Sequence, residues 1–482
     1  MRLFIYIFVL PFLAFFMMNA CNEDKKSDNM LREFRKLMDS GSFSRVIELH
    51  STKDAFKDID PCAKRELDSL ADYAKRYLID FSRTPDEILT LLHQDGVDAG
   101  EEDIKRWEES GLLEFMLIDG EKRYFRWAHR NLYRLNDSLR GLKQIDRVRD
   151  ESLAELCIGE IKNILSLSAA SGFETPVNPK NMRIRYTITV DADAVPPGEI
   201  IRCWMPFPRN DSPRQDNIRL ITTEPGDYKI APETIKQRSI YFEKQAKENE
   251  PVVFSMELEF RSWSRFFNPS ELLLSENLFK QEEFDEYTTE RLPHISFSKE
   301  IRELADNLVT DDMSTFEKVR VFYRWINDNI IWTSAIEYGL MSDIPAYVLD
   351  NRRGDCGLQT LLFLSLCRYA GIPAKWQSGW MMHPGHVNLH DWSEVWIEPF
   401  GWVPVDVSFK VQPSEEKFIA EYYISGIDSY RLIINDDYGR QFYPSKKHPR
   451  SEPLDFQRGE LEWDGGNIYF NEWRYNMQVE YQ

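Results

Sequence analysis

The chain has 482 residues, with 60 Lys and Arg against 80 Asp and Glu, a formal net charge of −20. That length exceeds what one ordinary core organises, so two to four domains are expected. The acidic balance argues against nucleic acid or an anionic lipid face as the main partner, because binding phosphate needs a basic surface.

The first residues carry an address. Arg2 precedes an apolar run, LFIYIFVLPFLAFFMM, that ends at Asn19, Ala20 and Cys21. The run is short for a spanning helix and contains Pro11, so residues 1–21 read as a secretory signal. A cysteine after a small residue at the end of such a run resembles a bacterial lipoprotein lipobox, in which the thiol is lipidated. The resemblance implies an exported protein held to the bacterial cell envelope by a lipid anchor at Cys21. Glu23 and Asp24 resemble sorting signals of surface-exposed lipoproteins. Five cysteines then remain, Cys62, Cys157, Cys203, Cys356 and Cys367, without CxxC spacing, so neither a zinc knuckle nor a thioredoxin-type site is expected. Export permits disulfides, and Cys62 with Cys157 is the one pair to test, but buried free thiols are the expectation for so sparse a set.

Residues 28–170 read as a helical N-terminal domain, with apolar residues at helical spacing in LREFRKLM, FSRVIEL and ELDSLADYAKRYLIDF. Within it, FMLIDGEKRYFRW carries apolar flanks around Asp119 and Gly120, a hairpin signal. Helices followed by a hairpin could form a winged helix, but an exported acidic chain fits a packing or docking module better. The turn formers of SGFETPVNPKN mark a boundary. Residues 180–264 then read as a β-sandwich. Ile184, Tyr186, Ile188 and Val190 alternate with Arg183, Arg185, Thr187 and Thr189, and short strand candidates follow at IIRCWMPF, NIRLITT, YKIAP, SIYFE and VVFSMELEF.

A third domain is expected over 290–445. It opens with a helix after Ser314, where Glu317 completes a capping box, and this helix delivers Ile331 and Trp332 toward the centre of the domain. Gly354 is expected to give freedom for a tight entry, and Asp355 to cap a helix whose first turn holds Cys356. A thiol there meets the positive end of the helix, which favours thiolate. The helix continues as LQTLLFLSLCRYA, apolar nearly all round and so buried, until Gly371 and Pro373 stop it. His390 opens the strand DWSEVWIEP, and a turn at Pro399, Phe400 and Gly401 leads back through WVPVD to Asp406. In that hairpin the parity lets His390 and Asp406 face the same way, so the carboxylate can orient the imidazole. Glu394 is a rival orienter. His383 and His386 lie in a loop without a metal-binding helix spacing and are expected at the rim of a cleft; no metal or cofactor is expected. Residues 455–482 read as C-terminal β strands.

The segments GDCGLQTLLFLSLCRYAGIPAKWQSGW and HDWSEVWIEPFGWVPVDVSF resemble the core of the transglutaminase-like superfamily, whose members share a papain-like Cys-His-Asp architecture. RIRYTITV and CWMPFP are similar to the sandwich that precedes this core in many bacterial members. The resemblance implies Cys356 as nucleophile, His390 as base and Asp406 as orienting acid, with Trp332 the candidate oxyanion donor. Together with the N-terminal helical region and the final strands, which lie outside the resemblance, this gives an expected α+β multidomain fold of helical region, sandwich and papain-like core. The implied function is an extracytoplasmic cysteine-dependent acyl-transfer enzyme that acts on carboxamide or peptide bonds through a thioester at Cys356. Water as acceptor gives a peptidase or amidase, and an amine gives transamidation. Expected partners are a protein, peptide or cell-wall peptide substrate and the membrane through the lipid anchor. The alternative is a non-catalytic surface protein that uses the fold to bind a polymer or protein.

Overall fold

A computed structural model describes residues 25–52, 59–140, 142, 144–275 and 281–482. The leader and Cys21 lie outside the described residues. Two compact units emerge, Met1–Gln144 with Thr333–Ile344, and Ile145–Trp332 with Pro345–Gln482.

The first unit contains α1 (Lys25–Asp39), α2 (Phe43–Ser51), α3 (Pro61–Asp80), α4 (Pro85–Gln94), α5 (Glu101–Glu109), β1 (Phe115–Ile118), β2 (Glu121–Tyr124) and α6 (Ala128–Leu135). Asp60 caps α3 by accepting from the amides of Cys62 and Ala63, and Thr84 and Glu87 form a capping box on α4. The predicted hairpin is present. Asp119 and Gly120 both have positive φ, 52° and 85°, as the tight two-residue turn requires. Asp119 also accepts from the Ser44 amide at 3.2 Å and its hydroxyl at 2.6 Å, which ties the hairpin tip to α2. The segment Thr333–Ile344 docks here through Asn131 and Ser334, which exchange two hydrogen bonds of 2.9 Å, and through Tyr77, whose hydroxyl donates to Leu340 O at 3.0 Å.

The second unit starts with α7 (Gln144–Ala170), followed by β3 (Val177–Val190), β4 (Ile200–Pro206), β5 (Gln215–Glu224), β6 (Lys229–Ile230), β7 (Ser239–Gln245) and β8 (Val252–Phe266). Helices α8 (Pro269–Leu272), α9 (Asp285–Thr288), α10 (Lys299–Leu308), α11 (Thr315–Asn329), α12 (Ile344–Asn351) and α13 (Cys356–Tyr369) follow. The chain then forms β9 (Ala374–His383), β10 (His386–Ile397), β11 (Gly401–Val405), α14 (Lys417–Ala420), β12 (Gly426–Ile427), β13 (Arg431–Asn435), β14 (Glu460–Trp463), β15 (Gly466–Ile468) and β16 (Trp473–Tyr481).

Among the described residues the second unit forms three sheets. One has the order β12-β8-β3-β16 with β5 also on β8, the second β15-β14-β4-β7-β6, and the third β11-β10-β9-β13. Alternation in β3 sends Ile184, Tyr186, Ile188 and Val190 into the core. Arg183 and Arg185 emerge on the other face and grip Glu257 of β8. The same core contains Trp380, Met382 and Leu432 from the third sheet, so sandwich and third sheet fold around shared apolar contacts.

Two segments fall differently from the sequence expectation. α7, expected within the helical region 28–170, belongs to the second unit, where Glu160 pairs with Lys180 at 3.2 Å and Ser152 meets His386 Nε2 at 3.0 Å. The C-terminal strands complete the sandwich: β14 pairs with β4, and β16 pairs with β3 from Met182 to Val190. Local pattern identifies a strand, but its partner lies far away in sequence.

In β9, Gly379 pairs with His390 on one side and Ile433 on the other. A Cβ at this position would lie 1.9 Å from the Leu432 carbonyl oxygen, a backbone atom that cannot rotate away. Gly379→Ala should therefore destabilise the second unit by about 1–3 kcal/mol through overpacking, as urea denaturation would report.

Candidate active site

α11 begins with the expected capping box, Ser314 with Glu317. After it ends, Ile331 N donates to Arg352 O at 2.9 Å and Gly354 N to Ile331 O at 3.1 Å. This parallel bridge lays the chain at Trp332 alongside the entry to α13. Gly354 is needed there for room: a Cβ would come within 2.8 Å of Leu358 Cβ. Asp355 caps α13 by accepting from Leu358 N at 3.2 Å. Every residue of the helix from Gly357 to Arg368 is buried, which fixes Cys356 on a rigid element.

Cys356 retains some solvent-exposed surface, while packed protein surrounds its sulfur. Its Sγ is hydrogen-bonded to Asp391 Oδ2 at 3.2 Å. Among the described residues, no hydrogen bond joins Cys356 to His390. The other Asp391 oxygen accepts from Gln457 Nε2 at 2.7 Å, and the same amide donates to His390 O at 2.6 Å. Burial and the Asp391 and Asp355 carboxylates push the Cys356 thiol well up, against the Asp391 backbone amide. Burial, Asp455 and Asp355 likewise push the Asp391 carboxyl well up. The thiol in this structure is thus neutral, held by an acid rather than by an imidazole.

His390 and Asp406 do come together. The antiparallel β10–β11 register sets Ser393 opposite Val405; three residues before the first and one after the second, His390 Nε2 lies 2.7 Å from Asp406 Oδ2. An ionised carboxylate only accepts, so Nε2 carries the hydrogen and Nδ1 the lone pair. Asp406 Oδ1 accepts from the Ser408 amide and hydroxyl and the Phe409 amide, at 3.3, 3.1 and 3.3 Å. On β13, the fully buried Arg431 places Nη1 2.9 Å from Asp406 Oδ2, the oxygen that also meets His390. Its guanidinium lies 3.9 Å from the Phe409 ring centroid, and its Nε 3.5 Å from Asp428 Oδ2. Burial would raise Asp406, but His390 and Arg431 outweigh it and hold the carboxyl below its ordinary value. Burial lowers His390; Asp406 opposes this and Arg431 adds to it, leaving the imidazole below its ordinary value and neutral near pH 7.

Other sequence candidates are engaged elsewhere. Glu394 is paired with Lys375 at 2.9 Å. His383 and His386 do not rim a cleft: both are buried, His383 with Nε2 3.1 Å from Asp428 Oδ1 and His386 against Ser152 of α7. Burial would raise Asp428, yet His383 and Arg431 hold it far below the usual carboxylate range. Among the described residues, no group of three or more His, Cys, Asp or Glu is arranged to hold a metal ion. Cys62, Cys157, Cys203, Cys356 and Cys367 are all free thiols.

Three site residues escaped the sequence reading: Asp391, Gln457 and Arg431. Asp391 had a signal, because side chains alternate along β10 and the residue after His390 therefore points to the opposite face, where it meets Cys356 of α13. Arg431 and Gln457 had none, since long-range packing alone brings them in.

Residues 302–407 match the family described as the transglutaminase-like superfamily, an interval that contains Trp332, Cys356, His390 and Asp406. The chain carries a transglutaminase-like domain. A candidate cysteine protease from Cytophaga hutchinsonii is 16% identical, with a TM-score of 0.42, over 64% of this chain and 91% of that one. The periplasmic domain of TgpA from Pseudomonas aeruginosa is 16% identical, with a TM-score of 0.26, over 50% of this chain and 90% of that one. No curated protein matches the chain.

Proposed function

We propose that the chain is a cysteine-dependent acyl-transfer enzyme in which Cys356 attacks a carboxamide or peptide carbonyl and forms a thioester. The observation that supports this is a thiol in the first turn of a capped, buried helix, next to a strand that also presents the His390–Asp406 pair. His390, oriented by Asp406, is the acid–base group, and Trp332, alongside the helix entry, is the candidate oxyanion donor. The leader supports an extracytoplasmic, lipid-anchored protein of the cell envelope, with Cys21 as anchor and a protein, peptide or cell-wall peptide as substrate. Water would resolve the thioester to an acid, and an amine to a new amide.

One observation favours a second reading, a non-catalytic binding protein: the sulfur's hydrogen bond goes to Asp391 and not to the imidazole. Two measurements separate the readings. Incubating the folded chain with a glutamine-peptide or cell-wall peptide library, with and without added amine, should leave an acyl group on Cys356 detectable by intact mass. Iodoacetamide should alkylate Cys356 at neutral pH. A Cys356 that resists alkylation, with ligand binding unchanged in Cys356→Ala, would establish the binding protein instead.

A further inference from the structure

We propose that the second unit holds a small inorganic anion, chloride its simplest case, against the buried guanidinium of Arg214. The inference is independent of the acyl-transfer reading.

The site lies along β8. On this strand β5 begins with Gln215 opposite Ser262, and β12 ends with Ile427 opposite Arg265. Trp263 and Ser264 lie between these two pairings. Arg214, the residue before β5, bonds to this interval: its carbonyl accepts from Trp263 N at 2.8 Å, and its Nε donates to Trp263 O at 3.4 Å. Arg214 is only 4% exposed. Among the described residues, Nη1 and Nη2 have no hydrogen-bond partner, and no carboxylate comes within ion-pair distance.

The charge persists despite its burial. Burial brings Arg214 down to about 10, against the pull of Glu394 and Asp428, so the group is still cationic near neutral pH. The carboxylates whose fields reach it are committed elsewhere. Glu394 lies 2.9 Å from Lys375 Nζ, and Asp428 lies 3.1 Å from His383 Nε2 and 3.5 Å from Arg431 Nε. Arg431 adds repulsion. A buried charge is tolerated when it is both paired and hydrogen-bonded, so Arg214 needs a partner from solvent. Water would satisfy its N–H groups but not its charge; an anion does both.

Other donors share the neighbourhood. Burial and Asp428 push the Tyr422 phenol well up while Arg214 pulls it down, so the hydroxyl keeps its proton, and it too is buried without a partner. Ser264, in the interval on β8, and Ser429, two residues past β12, bury hydroxyls that are likewise unpartnered. Each of these groups can donate. The guanidinium presents its N–H groups in a fixed fork, and the hydroxyls rotate to meet an acceptor.

The test follows urea unfolding of the full chain as sodium chloride replaces sodium gluconate, an anion too large for a buried site, at constant ionic strength. An anion bound only by the folded chain stabilises it by mass action. Once the site is filled, the unfolding equilibrium constant should fall about tenfold for each tenfold rise in chloride. Arg214→Met, which keeps an unbranched stem without the charge, should unfold at the same urea concentration in both salts. Tyr422→Phe keeps the ring stacked on Phe266, 5.4 Å between centroids, and removes only the hydroxyl. It should need about fivefold more chloride for the same effect, the equivalent of one hydrogen bond. Should Arg214→Met fail to fold, Tyr422→Phe still reads the site. Equal stability of the native chain in the two salts would mean that water alone meets Arg214, and would overturn the inference. A chloride effect unchanged in every variant that folds overturns it too, because the anion then binds elsewhere.

Discussion

Cys356→Ala should lose acyl-enzyme formation by about 10⁴-fold or more while the second unit keeps its fold. A nucleophile has no substitute, and removing one from a working constellation typically costs as much as removing the whole constellation. The structural effect is much smaller. Asp355 still caps α13 through Leu358, and the residues from Gly357 onward keep their packing. The change removes a sulfur–carboxyl hydrogen bond worth about 1 kcal/mol. Intact-mass detection of the acyl adduct, paired with a urea denaturation curve, separates the two effects. A variant that still carries the adduct at Cys356→Ala would mean that another thiol is acylated.

The second large effect is on stability. Arg431→Met should destabilise the second unit by about 3–5 kcal/mol, because it leaves two buried carboxylates, Asp406 and Asp428, without their shared cation. The volume is roughly kept, and methionine can lie on Phe409 as the guanidinium does, so the loss reports charge and not a void. The pH dependence has a definite sign. In the native chain both carboxyls are held below their ordinary values, so their contribution is complete above the unfolded carboxylate range, about pH 4, and is lost as pH falls through the folded values. In Arg431→Met, burial is no longer opposed by the guanidinium, the folded values rise, and each buried carboxylate costs stability above about pH 4. The gap between the two proteins should therefore be widest near neutrality and close in acid. Urea unfolding at several pH values reads this, and a gap independent of pH would mean that Arg431 acts through packing alone.

Much of the candidate site was legible because it is written in local geometry. The run of apolar residues after Cys356 announced a buried helix, Asp355 its cap, and the spacing of His390 and Asp406 around a turn gave them a common face. The period-two pattern of Ile184, Tyr186 and Ile188 gave β3 its core face for the same reason. What remained hidden depends on contacts between distant segments. Arg431 belongs to a strand whose neighbour, β9, is chosen by packing, and nothing in its own residues points to Asp406. Gln457 lies in a stretch without regular pattern, so its bond to Asp391 had no local sign. His383 and His386 read as loop residues because Pro384 and Gly385 separate them, yet they close the β9–β10 turn and are covered by Asp428 and α7. Asp391 is the instructive case. Attention to the parity that joins His390 to Asp406 passed over the next residue, which meets the sulfur.

The pairing of β16 with β3 sets a condition on how the protein is made. β3 lies between β8 and β16, so until Trp473–Tyr481 has been synthesised one side of β3 has no strand to bond with. The growing chain carries that open edge, backed by Ile184, Tyr186 and Ile188, from the completion of β3 at Val190 until Trp473 is reached, and an open apolar edge invites pairing with other chains. A product cut short before Trp473 would keep the edge permanently. The nine-residue strand β16 thereby sets the point in synthesis after which this edge can be hidden.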